Sequence, residues 1–215
     1  MIKGVIFDVD GVILDSMSIW RNLGEQYLKS LDIEPDVDII KNIQDKTLNE
    51  AVIYIKNRYN INRSVPEILN EIQKIIDDFY FNEVSLKDGV LDLLEHLSSK
   101  NIKITAASLS KRIHIEKAFE RLGVLKYFDK IFTVEEVGKS KNEPDIYYAA
   151  RDFMATATEE TAVFEDSVYS ITTAKTAGFY CFGVKDEAGG ESQWELKVAS
   201  DKYLRSISEA IELIQ

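Results

Sequence analysis

A single cysteine in 215 residues excludes an internal disulfide and a thiolate metal cluster. That residue, Cys181, sits in the apolar run Tyr180-Cys181-Phe182, where it reads as packing rather than as a nucleophile. Histidine is almost as scarce. His96 falls in a helical run from Val90 to Leu97 and His114 near the start of another, neither with a Ser, Cys or second His at a useful spacing. Both read as helix-face residues, which leaves a hydrolase triad or a histidine zinc site without support. Positive charge is also short: 26 Lys and Arg against 37 Asp and Glu give a net charge of −11, with no basic run to offset it. That balance argues against nucleic-acid and anionic-membrane partners. No apolar stretch approaches the roughly 20 residues that span a bilayer. Met1 leads into the first strand at once, so no signal peptide is expected and the cytoplasm is the expected address. Repeats and Gly/Ser linkers are missing too, and a monomer is the default expectation at this size.

What is present starts with residues 5–16, Val5-Ile6-Phe7-Asp8-Val9-Asp10-Gly11-Val12-Ile13-Leu14-Asp15-Ser16. The apolar, β-branched beginning reads as a buried strand of a parallel sheet. Asp8 and Asp10, spaced i, i+2, project from one side of the strand end, about 6.5 Å apart at strand rise. Gly11 then lets the backbone turn away. Ligands of open α/β sheets bind at the carboxyl ends of strands, and two acids there suit a hard divalent cation. Burying two like charges side by side serves no structural purpose.

Later segments repeat the strand-then-turn pattern: Ile102 to Ala106, Lys130 to Thr133, Thr161 to Phe164 and Phe179 to Val184, with a weaker strand near Val198 and Ala199. Helices are expected over Ile113–Leu122, over Pro144–Met154, up to a Gly178 cap, and over Ser206–Ile214. This alternation predicts an α/β fold, a doubly wound parallel sheet with right-handed crossovers. Residues 16 to 85 break the rhythm and show only helical periodicity. The expected organisation is therefore an α/β core of residues 1–15 and 86–215 with an all-helical cap of residues 16–85 inserted after the first strand. A helical cap above a charged site would screen substrates and exclude water.

Four pieces fall at the ends of expected strands: Asp8 with Asp10, Ser108, Lys141, and Glu165 with Asp166. Three carboxylates can hold magnesium, a hydroxyl with backbone N–H groups can bind phosphate oxygens, and a lysine can neutralise developing charge. In this order, Asp8-Val9-Asp10-Gly11-Val12, Ala107-Ser108, Lys141-Asn142-Glu143-Pro144-Asp145 and Glu165-Asp166-Ser167 resemble the four motifs of the haloacid dehalogenase (HAD) superfamily. The inserted helical segment resembles the subgroup of phosphoglycolate phosphatases and β-phosphoglucomutase. The resemblance covers the whole chain.

The resemblance implies a Rossmann-like core and a magnesium-dependent phosphatase acting on a small phosphorylated metabolite, such as a sugar phosphate. A β-phosphoglucomutase-like phosphotransferase is the alternative. Asp8 would be the nucleophile, forming an aspartyl-phosphate, and Asp10 the general acid and base, with its backbone carbonyl also facing the metal. Ser108, with the backbone at Leu109, would hydrogen-bond the phosphoryl group, and Lys141 would balance its charge. The metal ligands would be Asp8, Asp10, Asp166 and Glu165, the last directly or through water.

Blander readings stand beside these. Ser108 or Ser110 would serve as a helix N-cap, Lys139 could replace Lys141, and Glu165-Asp166 could cap the following helix. Glu50, Glu67 and Glu71 read as solvated helix faces. Three departures from the family pattern matter. Ser170 stands where Gly is common, Trp20 where the mutases place a His, and the loop Gln44-Asp45-Lys46-Thr47 lacks the usual Gly and the phosphate-clamping Arg. Lys46 and Trp20 become the candidate substrate contacts, and the losses tilt the reading from mutase to phosphatase.

Overall fold

The computed structural model describes residues 1–186 and 193–214, which fall into two compact units, Met1–Ser16 with Val84–Gln215, and Met17–Glu83. The first unit is built on a six-stranded, all-parallel sheet. Its strands are β1 (Gly4–Phe7), β2 (Lys103–Ser108), β3 (Lys130–Thr133), β4 (Thr161–Glu165), β5 (Tyr180–Val184) and β6 (Lys202–Leu204), in the order β3-β2-β1-β4-β5-β6. This is the doubly wound α/β arrangement that the alternation of strands and helices predicts. β1 is central and fully buried, paired on both sides so that Phe7 lies level with Ala106 of β2 and Phe164 of β4. Phe7, Phe164 and Phe182 form an aromatic stack across three strands, with ring centroids 4.6 and 4.5 Å apart.

The second unit is helical: α1 (Met17–Ser30), α2 (Ile39–Ile43), α3 (Leu48–Arg58) and α4 (Val65–Asp78), ending in a π-turn over Phe79–Glu83. Two capping boxes start its helices, Thr47 with Glu50 and Ser64 with Glu67, so both acids satisfy backbone N–H groups rather than merely facing solvent. In α4, Ile68, Ile72 and Ile76 recur at helical spacing and are buried. Glu71 accepts from the Tyr27 hydroxyl at 2.9 Å.

The sheet unit carries α5 (Val90–Ser99), α6 (Arg112–Arg121), α7 (Val134–Val137), α8 (Asp145–Met154), α9 (Val168–Thr176), α10 (Gln193–Ala199) and α11 (Ala210–Leu213). Ile146, Tyr147, Ala150 and Met154 of α8 pack on Ile6 and Val163 of the sheet. Gly178 follows α9 at φ 94°, a left-handed stop that suits glycine. One expected strand is overturned: Val198 and Ala199 end α10, and the pairing residues are Lys202–Leu204 instead. The reason is local. Leu196 anchors the α10 turn in the core, and the β-branched signal at Val198 sits on its exposed side. No described helix is long and apolar enough to cross a membrane.

Candidate active site

β1 ends at Phe7, so Asp8 is the first residue beyond it, still tied to β4 by a bond from its amide to the Phe164 carbonyl at 2.9 Å. The chain then coils tightly. Gly11, at φ 78°, donates to the Leu14 carbonyl, while Ile13 and Leu14 donate to Val9. This turn sends the two acids of the first motif into different surroundings.

Asp8 is buried and its Oδ1 accepts from Lys141 Nζ at 2.5 Å. The same ammonium lies 2.8 Å from Glu165 Oε1, which also accepts from the Tyr147 hydroxyl at 2.7 Å. Lys141 precedes α8, Tyr147 lies on it, and Glu165 ends β4, so the sheet and one helix together set the network. Lys139 is on the surface and pairs with Glu143, which removes it from the centre. Burial alone would lower the Lys141 pKa, but Asp8 and Glu165 outweigh it and hold the ammonium charged.

Asp8, Glu165 and Asp166 are all buried, and one carboxylate oxygen from each lies within 4.8 Å of the others. Three acids crowd together there, and their acidities show it. Burial, then Glu165, pushes Asp166 up to about 8, and Asp8 is raised well above the usual range by burial despite Lys141. Converging, under-compensated carboxylate oxygens are the donor set a hard divalent cation takes. The residues present therefore fit a metal ion.

The Asp10 carboxylate is not part of this cluster. Its Oδ1 accepts from the Ser16 hydroxyl and its Oδ2 from the Ser110 hydroxyl, each at 2.6 Å. Neither serine was singled out for this by its spacing, because Ser16 and Ser110 are distant in sequence and meet only through the fold. Ser108 is buried at the end of β2, and its Oγ accepts from the Ser110 amide at 3.0 Å, forming a tight local turn. Helix α6 begins after Lys111 without a side-chain cap, so neither Ser108 nor Ser110 is the N-cap that the sequence alone allowed. Leu109 between them is exposed. Ser167, not Glu165 or Asp166, holds the N-cap position of α9, and the helix starts without interruption past buried Ser170.

In the helical unit, Trp20 is 42% exposed and its indole N–H donates to the Tyr80 hydroxyl at 3.3 Å. Lys46 is exposed with its ammonium over the Tyr54 ring. Lys56, by contrast, spends its ammonium on the carbonyls of Ile61 and Arg63.

The Haloacid dehalogenase-like hydrolase family matches residues 5–184 of the chain. This chain belongs to that family. Among its relatives, the beta-phosphoglucomutase of Bacillus subtilis is 29% identical over 85% of this chain and 83% of its own length. The phosphorylated carbohydrates phosphatase of Thermotoga maritima is 25% identical over 82% of each chain. A solved Thermotoga maritima structure, provisionally assigned as a beta-phosphoglucomutase, superposes with a TM-score of 0.88 at 22% identity, covering 99% of this chain and 98% of that one. The last likeness speaks for the fold.

Proposed function

We propose that this family member is a magnesium-dependent phosphatase that hydrolyses a small phosphorylated metabolite through an aspartyl-phosphate on Asp8. The observation that carries this reading is the pairing of a buried Asp8–Lys141–Glu165 network with a separately held Asp10. Lys141 occupies Asp8 Oδ1, which leaves Oδ2 to attack phosphorus while the ammonium fixes the carboxylate's direction. As the Oδ2–phosphorus bond forms, the bond to the leaving oxygen breaks, and Asp10 supplies the proton that oxygen needs. In the second half Asp10 takes a proton from water, whose oxygen attacks phosphorus and releases Asp8. The Ser16 and Ser110 hydroxyls, one on each carboxylate oxygen, hold the Asp10 side chain in place for this work. Ser108 and the backbone at Leu109 bind the phosphoryl oxygens, and Lys141 offsets their charge. Asp8, Asp166 and Glu165 would hold the magnesium ion, with the Asp10 carbonyl facing it, and the ion would screen the repulsion between carboxylate and phosphate.

The domain reading follows the same lines: residues 1–15 and 86–215 carry the chemistry, and the helical residues 16–85 select the substrate through Trp20 and Lys46. The mutase relative keeps a second reading in play, in which the phosphoryl group returns to another hydroxyl of the same sugar. Trp20, in place of a histidine, and the loop around Lys46, without an arginine, favour hydrolysis. The test is phosphate release from a panel of sugar phosphates and small phosphorylated acids, with magnesium and with EDTA, with glucose 6-phosphate formation from β-glucose 1-phosphate followed in parallel. Magnesium-dependent phosphate release supports the phosphatase. Glucose 6-phosphate without phosphate release replaces it with the mutase.

A further inference from the structure

We propose that Lys87 is a positioning residue for the acid cluster, bracing the carboxyl end of β4 from both flanking strands. The inference rests on the phosphatase reading only in taking the cluster to hold a cation. Residues 85–87 run antiparallel beside the first-motif turn. Leu14 and Leu86 form a bridge, the Asp15 amide donates to Ser85 at 2.9 Å, and the Lys87 amide donates to Ile13 at 3.0 Å. From that position the Lys87 ammonium reaches three oxygens: the Gly11 carbonyl at 2.6 Å, the Lys185 carbonyl at 2.8 Å and Asp186 Oδ2 at 2.8 Å. Three acceptors satisfy its three donors.

The sheet order gives these contacts their meaning. Gly11 lies in the turn after β1, and Lys185 and Asp186 follow β5. β4 runs between those two strands, and its end supplies Glu165 with Asp166 next in the chain. One ammonium therefore ties the loops on either side of the acids together. The turn's own bonds, from Gly11 to Leu14 and from Ile13 and Leu14 to Val9, close it locally without reaching β5. Lys87 supplies that link.

The arrangement costs something electrostatically. Asp166 feels the positive charge of Lys87 as well as the negative charge of Asp186, and a fixed cation beside an acid cluster opposes a second cation. Charge alone thus argues that removing Lys87 would tighten metal binding. Positioning argues the reverse, since contacts just outside a metal site typically change affinity about 10–100-fold when lost. The sign of the effect separates the two.

The experiment is calorimetric titration of Mg2+ into the folded wild type, Lys87→Met, and the double variant Lys87→Met/Asp186→Asn, with thermal melting in parallel. The double variant keeps the net charge and leaves no buried carboxylate without its cation, so it carries the test if Lys87→Met fails to fold. The expected result is Mg2+ binding at least tenfold weaker in the double variant. Affinity within twofold of the wild type, or tighter, with only the melting temperature lowered, reduces Lys87 to a structural clamp and overturns the proposal. If the wild type itself binds no Mg2+, the cation reading of the cluster falls, and the positioning role falls with it.

Discussion

The two units of this chain carry their candidate site residues in opposite ways. In the sheet unit Asp8, Lys141, Glu165 and Tyr147 are buried and interlocked by bonds of 2.5 to 2.8 Å, so each side chain is held by another. In the helical unit Trp20 is half-exposed and bonded to the Tyr80 hydroxyl, and Lys46 is exposed with its ammonium over the Tyr54 ring. On the proposed function, the difference matches two separate tasks. Groups that stabilise developing charge work best fixed in a dry setting, where they need not reorganise. Groups that choose among substrates must be reachable, and their value is set by the molecule they meet.

The comparison breaks first at Asp8. Replacing it with Asn removes the proposed nucleophile at constant volume and leaves Lys141 its Glu165 partner. Turnover should drop by about 10⁴-fold or more, with the melting temperature little changed. Lys141→Met is the contrasting variant, because it leaves Asp8 and Glu165 buried against each other without their cation. A stability loss of about 3–5 kcal/mol is expected in a denaturant titration, together with loss of activity. Near-normal turnover in Asp8→Asn would end the covalent mechanism at that position.

A subtler prediction concerns acidity. Asp166 is pushed from its usual 3.8 up to about 8, foremost by burial and then by Glu165. Such a group is protonated in the folded chain and ionised in the unfolded one, so the unfolded chain holds fewer protons as pH rises. Its penalty is absent below about pH 4, builds through the interval, and is complete above about pH 8. In EDTA the melting temperature should fall between about pH 5.5 and about pH 8.5 by at least 3 °C or so, the shift that roughly 1 kcal/mol produces in a chain of this size. Saturating magnesium should flatten the profile, since a bound cation favours the ionised carboxylates. A flat profile in EDTA would mean that Asp166 is compensated by groups outside the network described.

Much of the sheet and its acids was legible because the signals are short-range. The run Val5-Ile6-Phe7 with Asp8 behind it marks a buried strand by composition alone, and Lys141 stands three residues before Pro144, the N-cap position of α8. What was not legible depends on residues that meet across the fold. Ser16 and Ser110 hold Asp10 from positions nearly a hundred residues apart, and Lys87 meets Asp186 across a similar gap. Glu50 and Glu67 are exposed, as expected, but their capping boxes show themselves only when the helix start is known. Val198 misled for the opposite reason. A β-branched residue signals a strand, but Leu196 commits that segment to helix through its burial.

The smallest effect expected is at Trp20, and it is the one that would sharpen the contrast between the units. The indole is half-exposed yet held in orientation by the Tyr80 hydroxyl, which suits a flat surface on which a substrate can rest. If Trp20 is such a contact, Trp20→Ala should raise KM for the preferred substrate about fivefold, roughly 1 kcal/mol, with kcat nearly unchanged. Hydrolysis of a minimal phosphate ester, which lacks the group Trp20 would contact, should be unaffected. Tyr80→Phe removes the anchor but keeps the indole, so it should show a weaker version of the same KM effect. Equal losses in kcat for the large and the minimal ester would point instead to a helical unit weakened as a whole, and Trp20 would then belong with the packing residues of α1 rather than with the substrate.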